Sequence, residues 1–229
     1  MKKIITLFKI VMFPLLMVLL MWIVFLFEID YGYNLNRYGI LPRNLSGLQG
    51  VLFAPFIHGD FEHLTNNTIS FFVLTLTLRY FYPKNYMRIF MVGLLVTGLL
   101  TWGIGRVSYH IGMSGQIYML AAFIFTKSFF SKNYRLIALS LAIIFLYGGM
   151  IWYILPIDKA ISWEGHLSGL LIGVLLSFLY ENEINHKEEL KVMTYNQSLF
   201  LDHFNEKGRF VANLPFLDEN GNLIIEEEE

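Results

Sequence analysis

The sequence predicts an all-α, polytopic membrane protein with six transmembrane helices. Of its 229 residues, 55% are hydrophobic and only 15% are charged, whereas an average soluble domain has about 25% charged residues. The apolar residues occur in long blocks, and a helical span needs about 20 mostly apolar residues. The formal net charge of -1 argues against a nucleic-acid-binding domain, which carries a clear basic excess. The chain has no cysteine, which excludes disulfides, thiolate metal sites and a cysteine nucleophile.

The first apolar block, residues 10–27, follows three lysines and has the outline of a signal peptide. It is too long for one, because a signal peptide has about 7–15 apolar residues before a small-residue cleavage site. This block instead ends at Phe27 and is followed by Glu28, with no such site. We interpret it as a retained transmembrane helix, with a cleaved signal peptide as the alternative.

Five further apolar stretches have the length, or nearly the length, of a span. The long connection before them, residues 28–66, contains many apolar residues, so we expect it to pack partly into the membrane face. Residues 1–180 are therefore predicted to form one six-helix membrane domain. The five stretches are residues 67–82, 87–105, 114–130, 135–155 and 163–180.

The distribution of basic residues predicts the orientation. If the N-terminus is cytoplasmic, thirteen of the 17 Lys and Arg residues fall on the cytoplasmic side, and only Arg37, Arg43, Arg106 and Lys159 fall outside. Cytoplasmic loops of membrane proteins carry an excess of Lys and Arg. We therefore expect both termini to be cytoplasmic, in a multi-pass protein of the bacterial inner (plasma) membrane.

Residues 181–229 differ from the rest of the chain and are predicted to form a polar cytoplasmic tail. The stretch 218–222, DENGN, resembles part of a calcium-binding loop but lacks the full ligand pattern. We interpret it as a turn. No internal repeat is visible, so the inverted-repeat signature of many transporters is missing.

Ser114 begins the fourth predicted span, within the sequence HIGMSGQIY. At a helix N-terminus its backbone N–H has no partner inside the helix, and the helix dipole favours negative charge there, as on an oxyanion. Gly112 permits a tight turn into the helix, and Gly115 allows another helix to approach. The alternative is an N-cap serine with small packing neighbours.

His166 lies near the start of the sixth predicted span and shares one helical face with Gly169 and Gly173. Such a small-residue surface favours close helix contact. If it met the glycine next to Ser114, the His166 imidazole would lie over the Ser114 hydroxyl and activate it as a general base. Tyr118, one turn beyond Ser114, would orient the ring. The alternative for His166 is a hydrogen-bonded packing histidine.

His63 and Asn67 are four residues apart, hence neighbours on one face of the second predicted helix. Both can donate hydrogen bonds to a developing oxyanion, and the Ser114 N–H would add a third donor. The alternative is a histidine and an asparagine that cap the helix. We expect His58, in the preceding connection, to have a structural role.

Taken together, these segments resemble the rhomboid family of intramembrane serine proteases. They occur in the family's order on the second, fourth and sixth helices, and the resemblance covers about residues 41–180. The matching segments are residues 47–50 leading to APFIHGDFEHLTNN, the G-x-S-G of residues 112–115, Tyr118, and GHLSGLLIG in the sixth span.

The resemblance implies a six-helix bundle with a catalytic Ser114–His166 dyad in a water-filled cavity below the membrane surface. It also implies an oxyanion hole made by His63, Asn67 and the Ser114 amide, and cleavage of single-span membrane proteins. The expected partners are such substrates and the lipid bilayer, with no nucleic acid and no oligomeric state implied. We expect no cofactor, and the absence of H-E-x-x-H excludes a zinc-dependent protease. We also expect no carboxylate inside the spans, which would exclude a paired-aspartate protease.

Two features concern substrate access and the first loop. Many rhomboids have a Trp-Arg pair in that loop, whereas LPRNLSG carries Arg43 without the tryptophan, so we expect a different anchor. Either the fifth span or the first connection would move to admit substrate. Gly148 and Gly149 would weaken the fifth span, although lipid-facing aromatic residues explain the same stretch.

Three other classes are compatible with parts of the sequence. A non-enzymatic adaptor that binds transmembrane segments would use the same scaffold. A small transporter would leave the serine, histidines and asparagine unexplained. A haem protein would use His58, His63, His110 or His166 as axial ligands, but no pair of these is predicted to lie mid-membrane on facing helices.

Overall fold

A computed structural model of the chain describes residues 2–130, 134–147, 152–157 and 161–181, together with residues 183, 204, 209 and 210. Within these residues the secondary structure is helical, with two isolated β-bridges and no strand. The predicted all-α class is therefore confirmed. The chain separates into two compact units, Met1–Ile184 and Asn185–Glu229, and the helices among the described residues belong to the first.

The described residues contain six α-helices of 14 residues or more and one short α-helix. Two segments, Ile10–Tyr31 and Tyr86–Ile104, are long and apolar enough by themselves to cross a bilayer. Trp163–Leu179 is apolar but shorter. The helices are α1 Lys2–Tyr31, α2 Gly50–Phe53, α3 Phe61–Phe81, α4 Tyr86–Ile104, α5 Ser114–Phe130, α6 Tyr134–Tyr147 and α7 Trp163–Leu179.

The start of α3 differs from the predicted span, which began at residue 67. The helix begins at Phe61, because the Asp60 carboxylate accepts a hydrogen bond from the His63 backbone N–H at 2.7 Å. A carboxylate N-cap of this kind satisfies one of the unpaired N–H groups of the first turn. The cap places His63 in the first turn and Asn67 one turn later.

The end of the predicted fifth span also differs from the structure. Residues 152–157 form a turn, closed by a 3.1 Å hydrogen bond from the Leu155 N–H to the Trp152 carbonyl. Leu155 precedes Pro156, and a residue before proline is disfavoured in α-helix. Gly148 and Gly149, the glycines of the suggested gate, lie outside the described residues, as does the predicted turn at 218–222.

Helix α5 is central to the bundle and packs against α3, α4, α6 and α7. A helix with buried residues on most of its sides belongs to a core. Its Met119, Leu120 and Phe123 are fully buried beside Phe71 and Leu74 of α3. The nucleophile candidate therefore stands at the end of the most enclosed helix.

Helices α5 and α7 approach each other through their backbones. A Cβ atom placed on Gly169 would overlap the carbonyl oxygen of Gly115, and one on Gly173 would overlap the carbonyl oxygen of Met119. The two glycine surfaces that the sequence analysis singled out thus lie in direct contact. Small residues permit this approach.

The first connection, which lacks the Trp-Arg pair, is anchored to the end of α4. The Arg43 guanidinium donates to the carbonyl oxygens of Gly105 at 2.7 Å and Gly103 at 3.3 Å. The Trp102 indole N–H, from α4, donates to the carbonyl oxygen of Asn44 at 2.8 Å. An arginine and a tryptophan therefore hold this connection, but the tryptophan belongs to α4 and not, as in many rhomboids, to the connection itself.

The start of the predicted tail is held against the helical unit. The Glu183 carboxylate accepts hydrogen bonds from the backbone N–H groups of Lys84 at 2.7 Å and Asn85 at 2.9 Å. These residues immediately precede α4, whose first N–H groups have no partner within the helix. Glu183 thus stabilises the N-terminus of α4.

Candidate active site

Ser114 and His166 are hydrogen-bonded to each other. The Nε2 atom of His166 lies 2.9 Å from the Oγ atom of Ser114. The other ring nitrogen, Nδ1, lies 2.9 Å from the carbonyl oxygen of Tyr153. A carbonyl oxygen only accepts hydrogen bonds, so Nδ1 carries the hydrogen and Nε2 is left as the acceptor for the serine hydroxyl. This is the tautomer that a general base requires.

Tyr118 holds the face of the His166 ring. The two rings are stacked with centroids 4.2 Å apart and an angle of 13° between their planes. Each residue is only 6% exposed, so the ring has little freedom to rotate. The structure thus places Tyr118 where the sequence suggested. The Tyr153 carbonyl was not anticipated, because a main-chain group 13 residues before His166 leaves no sequence signal.

Gly112 shapes the turn that presents Ser114 at the N-terminus of α5. Its φ is +97°, a left-handed conformation that side chains disfavour. A Cβ there would lie 2.8 Å from the Nε2 atom of His63 and 3.3 Å from the Nδ2 atom of Asn67. The Gly112 N–H also donates to the Ala54 carbonyl at 2.8 Å. The expected tight turn is present and only glycine fits it.

The oxyanion candidates converge on this turn. His63 and Asn67 of α3 lie against Gly112, two residues before Ser114. Asn67 is 5% exposed, and within the described part of the chain its Nδ2 donor has no hydrogen-bond partner. An unpaired buried donor costs free energy unless a ligand or water satisfies it. The arrangement leaves this donor available beside the serine.

His58 packs against His63 in the connection before α3. Their ring centroids are 5.0 Å apart with an angle of 66° between the planes. Burial, and secondarily the charge of His63, lowers the pKa of His58 from 6.5 to about 3. His58 is therefore neutral at physiological pH, which agrees with a packing role.

A small, mostly apolar cavity with a few polar lining groups adjoins Ser114. Its volume is about 40 Å³, and a cavity of more than about 10–15 Å³ with polar partners can hold water. Among its lining groups, Gln116 Oε1 and Thr97 Oγ1 are buried without a hydrogen-bond partner among the described residues. The lining also includes His110 and Ser162. The cavity is therefore large enough, and has polar partners, to hold water beside the serine.

Four residues beside the site were not predicted to support the dyad: Arg106, His110, Ser162 and Glu164. Glu164 lies in the first turn of α7 and is 1% exposed. The expectation that no carboxylate lies inside the spans is wrong, because Glu164 falls within the predicted span 163–180 and is buried in the structure. The carboxylate is tolerated because Arg106 pairs with it at 3.1 Å. The pair is 58 residues apart in sequence, so no local pattern indicates it.

Within the described residues, no group of three or more His, Cys, Asp or Glu side chains is placed to hold a metal ion. The haem alternative also lacks free ligands at two positions. His110 and His166 each have hydrogen bonds at both ring nitrogens. Axial ligation would break one of these bonds in each case.

The fold and the site define a class: a helical, membrane-embedded protein with a hydrogen-bonded serine–histidine pair where two helices begin. The Rhomboid domain family matches residues 46–183, which is more than half of the chain and includes every site residue named from the sequence. The chain belongs to the rhomboid family. This is a family of intramembrane proteases that also includes inactive members.

Similar proteins occur in mycobacteria. An uncharacterized protein of Mycobacterium bovis is 33% identical over 171 residues, which is 71% of each chain. An uncharacterized protein of Mycobacterium tuberculosis H37Rv has the same identity and coverage. One of Mycobacterium leprae is 28% identical over 169 residues, 70% of this chain and 67% of the relative.

Proposed function

We propose that the protein is an intramembrane serine endopeptidase that hydrolyses peptide bonds in or near transmembrane segments of membrane-protein substrates. Ser114 is the nucleophile and His166 is the general base. The observation that carries this proposal is the 2.9 Å hydrogen bond between His166 Nε2 and Ser114 Oγ, with Nδ1 bonded to the Tyr153 carbonyl. That arrangement gives the base the correct tautomer without the carboxylate that serves as the third member of a catalytic triad.

In the first half of the reaction, Ser114 Oγ attacks the carbonyl carbon of the substrate peptide bond while His166 Nε2 takes the hydroxyl proton. The carbonyl oxygen becomes an oxyanion, which the His63 side chain, the Asn67 amide and the Ser114 N–H stabilise. The C–N bond then breaks, and His166 returns the proton to the departing amine. An acyl-enzyme on Ser114 remains.

In the second half, water attacks the acyl carbon and His166 takes the water proton. The acyl–Oγ bond breaks, and the proton passes to Ser114, which restores the free enzyme. The cavity beside Ser114 supports this step, because its buried Gln116 and Thr97 oxygens are suited to hold water. No cofactor takes part.

The membrane arrangement is part of the proposal. The six long helices all cross the bilayer, with both termini in the cytoplasm and the dyad toward the outer side of a bacterial plasma membrane. The count of basic residues on the two sides supports this orientation. The substrates are single-span membrane proteins, whose helix must unwind locally to expose a peptide bond.

Labelling by a fluorophosphonate tests the assignment, because this reagent reacts with an activated serine. The detergent-solubilised wild type is expected to label and to cleave a generic single-span substrate. Ser114→Ala and His166→Ala are expected to do neither, whereas Ser108→Ala, a serine of the same connection, should behave as wild type. A wild type that binds the substrate but neither labels nor cleaves it would favour the adaptor function instead.

A further inference from the structure

Two segments carry the dyad: the α4–α5 connection, which leads to Ser114, and the first turn of α7, which bears His166. On the C-terminal side of Ser114 and His166, helices α5 and α7 meet at the contact between Gly115 and Gly169. On the other side of the dyad, four residues join the same two segments. We call them the clamp: Arg106 and His110 from the connection, and Ser162 and Glu164 from the start of α7.

The first half of the clamp is an ion pair between the buried Glu164 carboxylate and the guanidinium of Arg106, whose side chain is 35% exposed. The Arg106 guanidinium donates to both Glu164 oxygens, at 3.1 and 3.3 Å, and the Arg106 backbone N–H donates to Glu164 Oε1 at 3.0 Å. A further guanidinium N–H donates to the Ile161 carbonyl at 2.8 Å. The Glu164 side chain is 2% exposed, so its charge depends on Arg106 for compensation.

The second half of the clamp is a hydroxyl–imidazole pair. The His110 Nε2–H donates to the Arg106 carbonyl at 3.0 Å, which leaves Nδ1 to accept from the Ser162 hydroxyl at 2.6 Å. The Ser162 carbonyl in turn accepts the backbone N–H of His166 at 3.2 Å. One residue thus links the α4–α5 connection to the backbone of the dyad histidine.

The α4–α5 connection is also held by the connection that follows α1. Ile40 and His110 exchange both backbone hydrogen bonds at 2.9 Å. These backbone bonds fix the position of His110 independently of α7, so the bond from His110 to Ser162 restrains the start of α7. The clamp therefore ties the start of α7 to a braced part of the molecule.

We propose that Arg106, His110, Ser162 and Glu164 are positioning residues for the dyad, and that they hold His166 Nε2 within hydrogen-bond distance of Ser114 Oγ. This inference rests on the proposed function. The glycine contact fixes one side of the dyad and the clamp fixes the other. A displacement of about 1 Å at a reacting group can slow a reaction about 10²-fold, so both sides are needed.

The hydrogen bonds of Ser162 and His110 repeat those of Ser114 and His166, but the surroundings differ. The Glu164 carboxylate is two residues from Ser162, and a negative charge there opposes an oxyanion. Among the described residues, Asn67 Nδ2 is the buried amide donor without a partner, and it lies against the turn that presents Ser114; the unpaired donor in the cavity that Ser162 lines is a hydroxyl, Thr97 Oγ1. Ser162 is therefore assigned to positioning and not to nucleophilic attack.

The test is the rate constant for fluorophosphonate labelling of the detergent-solubilised full chain, measured together with the final labelled fraction. Arg106→Gln and Glu164→Gln are each expected to lower the rate constant about tenfold or more. The double variant should be no slower than the slower single one, because the two groups act as a pair. Arg37→Gln and Glu62→Gln, which change exposed residues outside the clamp, are the matched controls.

A purely structural role gives a different result. It would lower the labelled fraction, since fewer molecules are folded, but would leave the rate constant of the folded molecules unchanged. Ser162→Ala keeps both charges and is the milder variant, for which we expect a slowing of a few fold. Rate constants within twofold of wild type for Arg106→Gln, Glu164→Gln and Ser162→Ala would overturn the proposal.

Two further outcomes are informative. Labelling of Ser114→Ala that disappears when Ser162→Ala is added would show that Ser162 is a nucleophile, and would overturn its positioning role. A wild type that does not label at all would refute the proposed function, and the positioning role with it. That outcome is read from the wild type alone, so it is distinct from a failure of the clamp variants.

Discussion

Gly169 of α7 packs directly against the backbone carbonyl of Gly115 on α5. Gly115 follows Ser114, and Gly169 lies three residues after His166 on the same helical face. The contact between the two backbones therefore lies beside the hydrogen bond between the two side chains. It sets how closely the serine and the histidine approach each other.

Gly169→Ala should separate the two helices. The added methyl group overlaps the Gly115 carbonyl, which belongs to the backbone and cannot move aside cheaply. We expect the free energy of unfolding to fall by about 1–3 kcal/mol, as for other overpacked sites. Cleavage should fall at least about tenfold, because the dyad loses its geometry. Thermal unfolding in detergent measures the change in stability, and the rate of cleavage of a single-span substrate measures the change in activity.

Gly103→Ala is the matched control for that substitution. A Cβ on Gly103, in α4, would have no heavy atom within 4 Å. Alanine is a better helix former than glycine, by up to about 1 kcal/mol. We expect unchanged cleavage and equal or greater stability. If Gly169→Ala behaved like this control, the helix contact would have no role in placing the dyad.

Asn67→Ala should remove one donor from the oxyanion hole. Loss of such a donor costs about 10²–10³-fold in kcat, whereas KM should change little because the donor acts on the transition state. Steady-state cleavage of a single-span substrate measures both constants. Asn66→Ala changes the exposed neighbour on the same helix and is expected to match wild type. Equal cleavage by Asn67→Ala would exclude Asn67 from the hole.

Substitution of Tyr118 should distinguish the ring face from the hydroxyl. Tyr118→Phe keeps the ring that stacks on His166 at 4.2 Å, whereas Tyr118→Leu removes it. An aromatic pair contributes about 0.5–1.5 kcal/mol beyond its buried area. We therefore expect kcat to fall about two- to tenfold for Tyr118→Leu and less for Tyr118→Phe. The reverse order would show that the hydroxyl, and not the ring, supports the histidine.

The pKa of His58 predicts how stability depends on pH. Its folded value is about 3, whereas an unfolded histidine has a pKa of about 6.5. Between these values the unfolded state binds the extra proton, so the free energy of unfolding falls as the pH is lowered from 6.5 towards 3. One such histidine contributes a slope of up to about 1.4 kcal/mol per pH unit.

His58→Phe should reduce that slope, since phenylalanine fills the same space and does not titrate. The pKa of His110 is also lowered by burial, so part of the slope should persist. Chemical unfolding in detergent at several pH values measures the difference between wild type and variant. Identical slopes in the two proteins would show that His58 is not buried in its neutral form.

Helix boundaries and side-chain pairings were not equally visible in the sequence. The start of α5 at Ser114 was predicted correctly, because a glycine-rich turn precedes an apolar run. The start of α3 was predicted six residues late, because the prediction rested on hydropathy and four of residues 61–66 (FEHLTN) are polar. The Asp60 cap decides that boundary.

The groups that support His166 show more clearly which contacts could not be predicted from the sequence. That Tyr118 lies beside the ring was predictable, since Tyr118 follows Ser114 by one helical turn, but its stacked geometry was not. The Tyr153 carbonyl and the ion pair of Arg106 with Glu164 were not, because both join segments that no periodicity relates. Main-chain carbonyls in particular carry no residue identity that a sequence can display.

By itself, the sequence determined the helical class, the apolar segments and the residue types able to perform hydrolysis, because hydropathy and helical spacing are local properties of a chain. Only the tertiary structure decided that Gly169 packs against the Gly115 backbone, which histidine tautomer faces the serine, and that a buried glutamate forms an ion pair with Arg106 beside the site. The dyad and the ion pair join residues 52 and 58 positions apart, and the tautomer is set by a main-chain carbonyl 13 residues before the histidine. Such contacts form only when the helices pack.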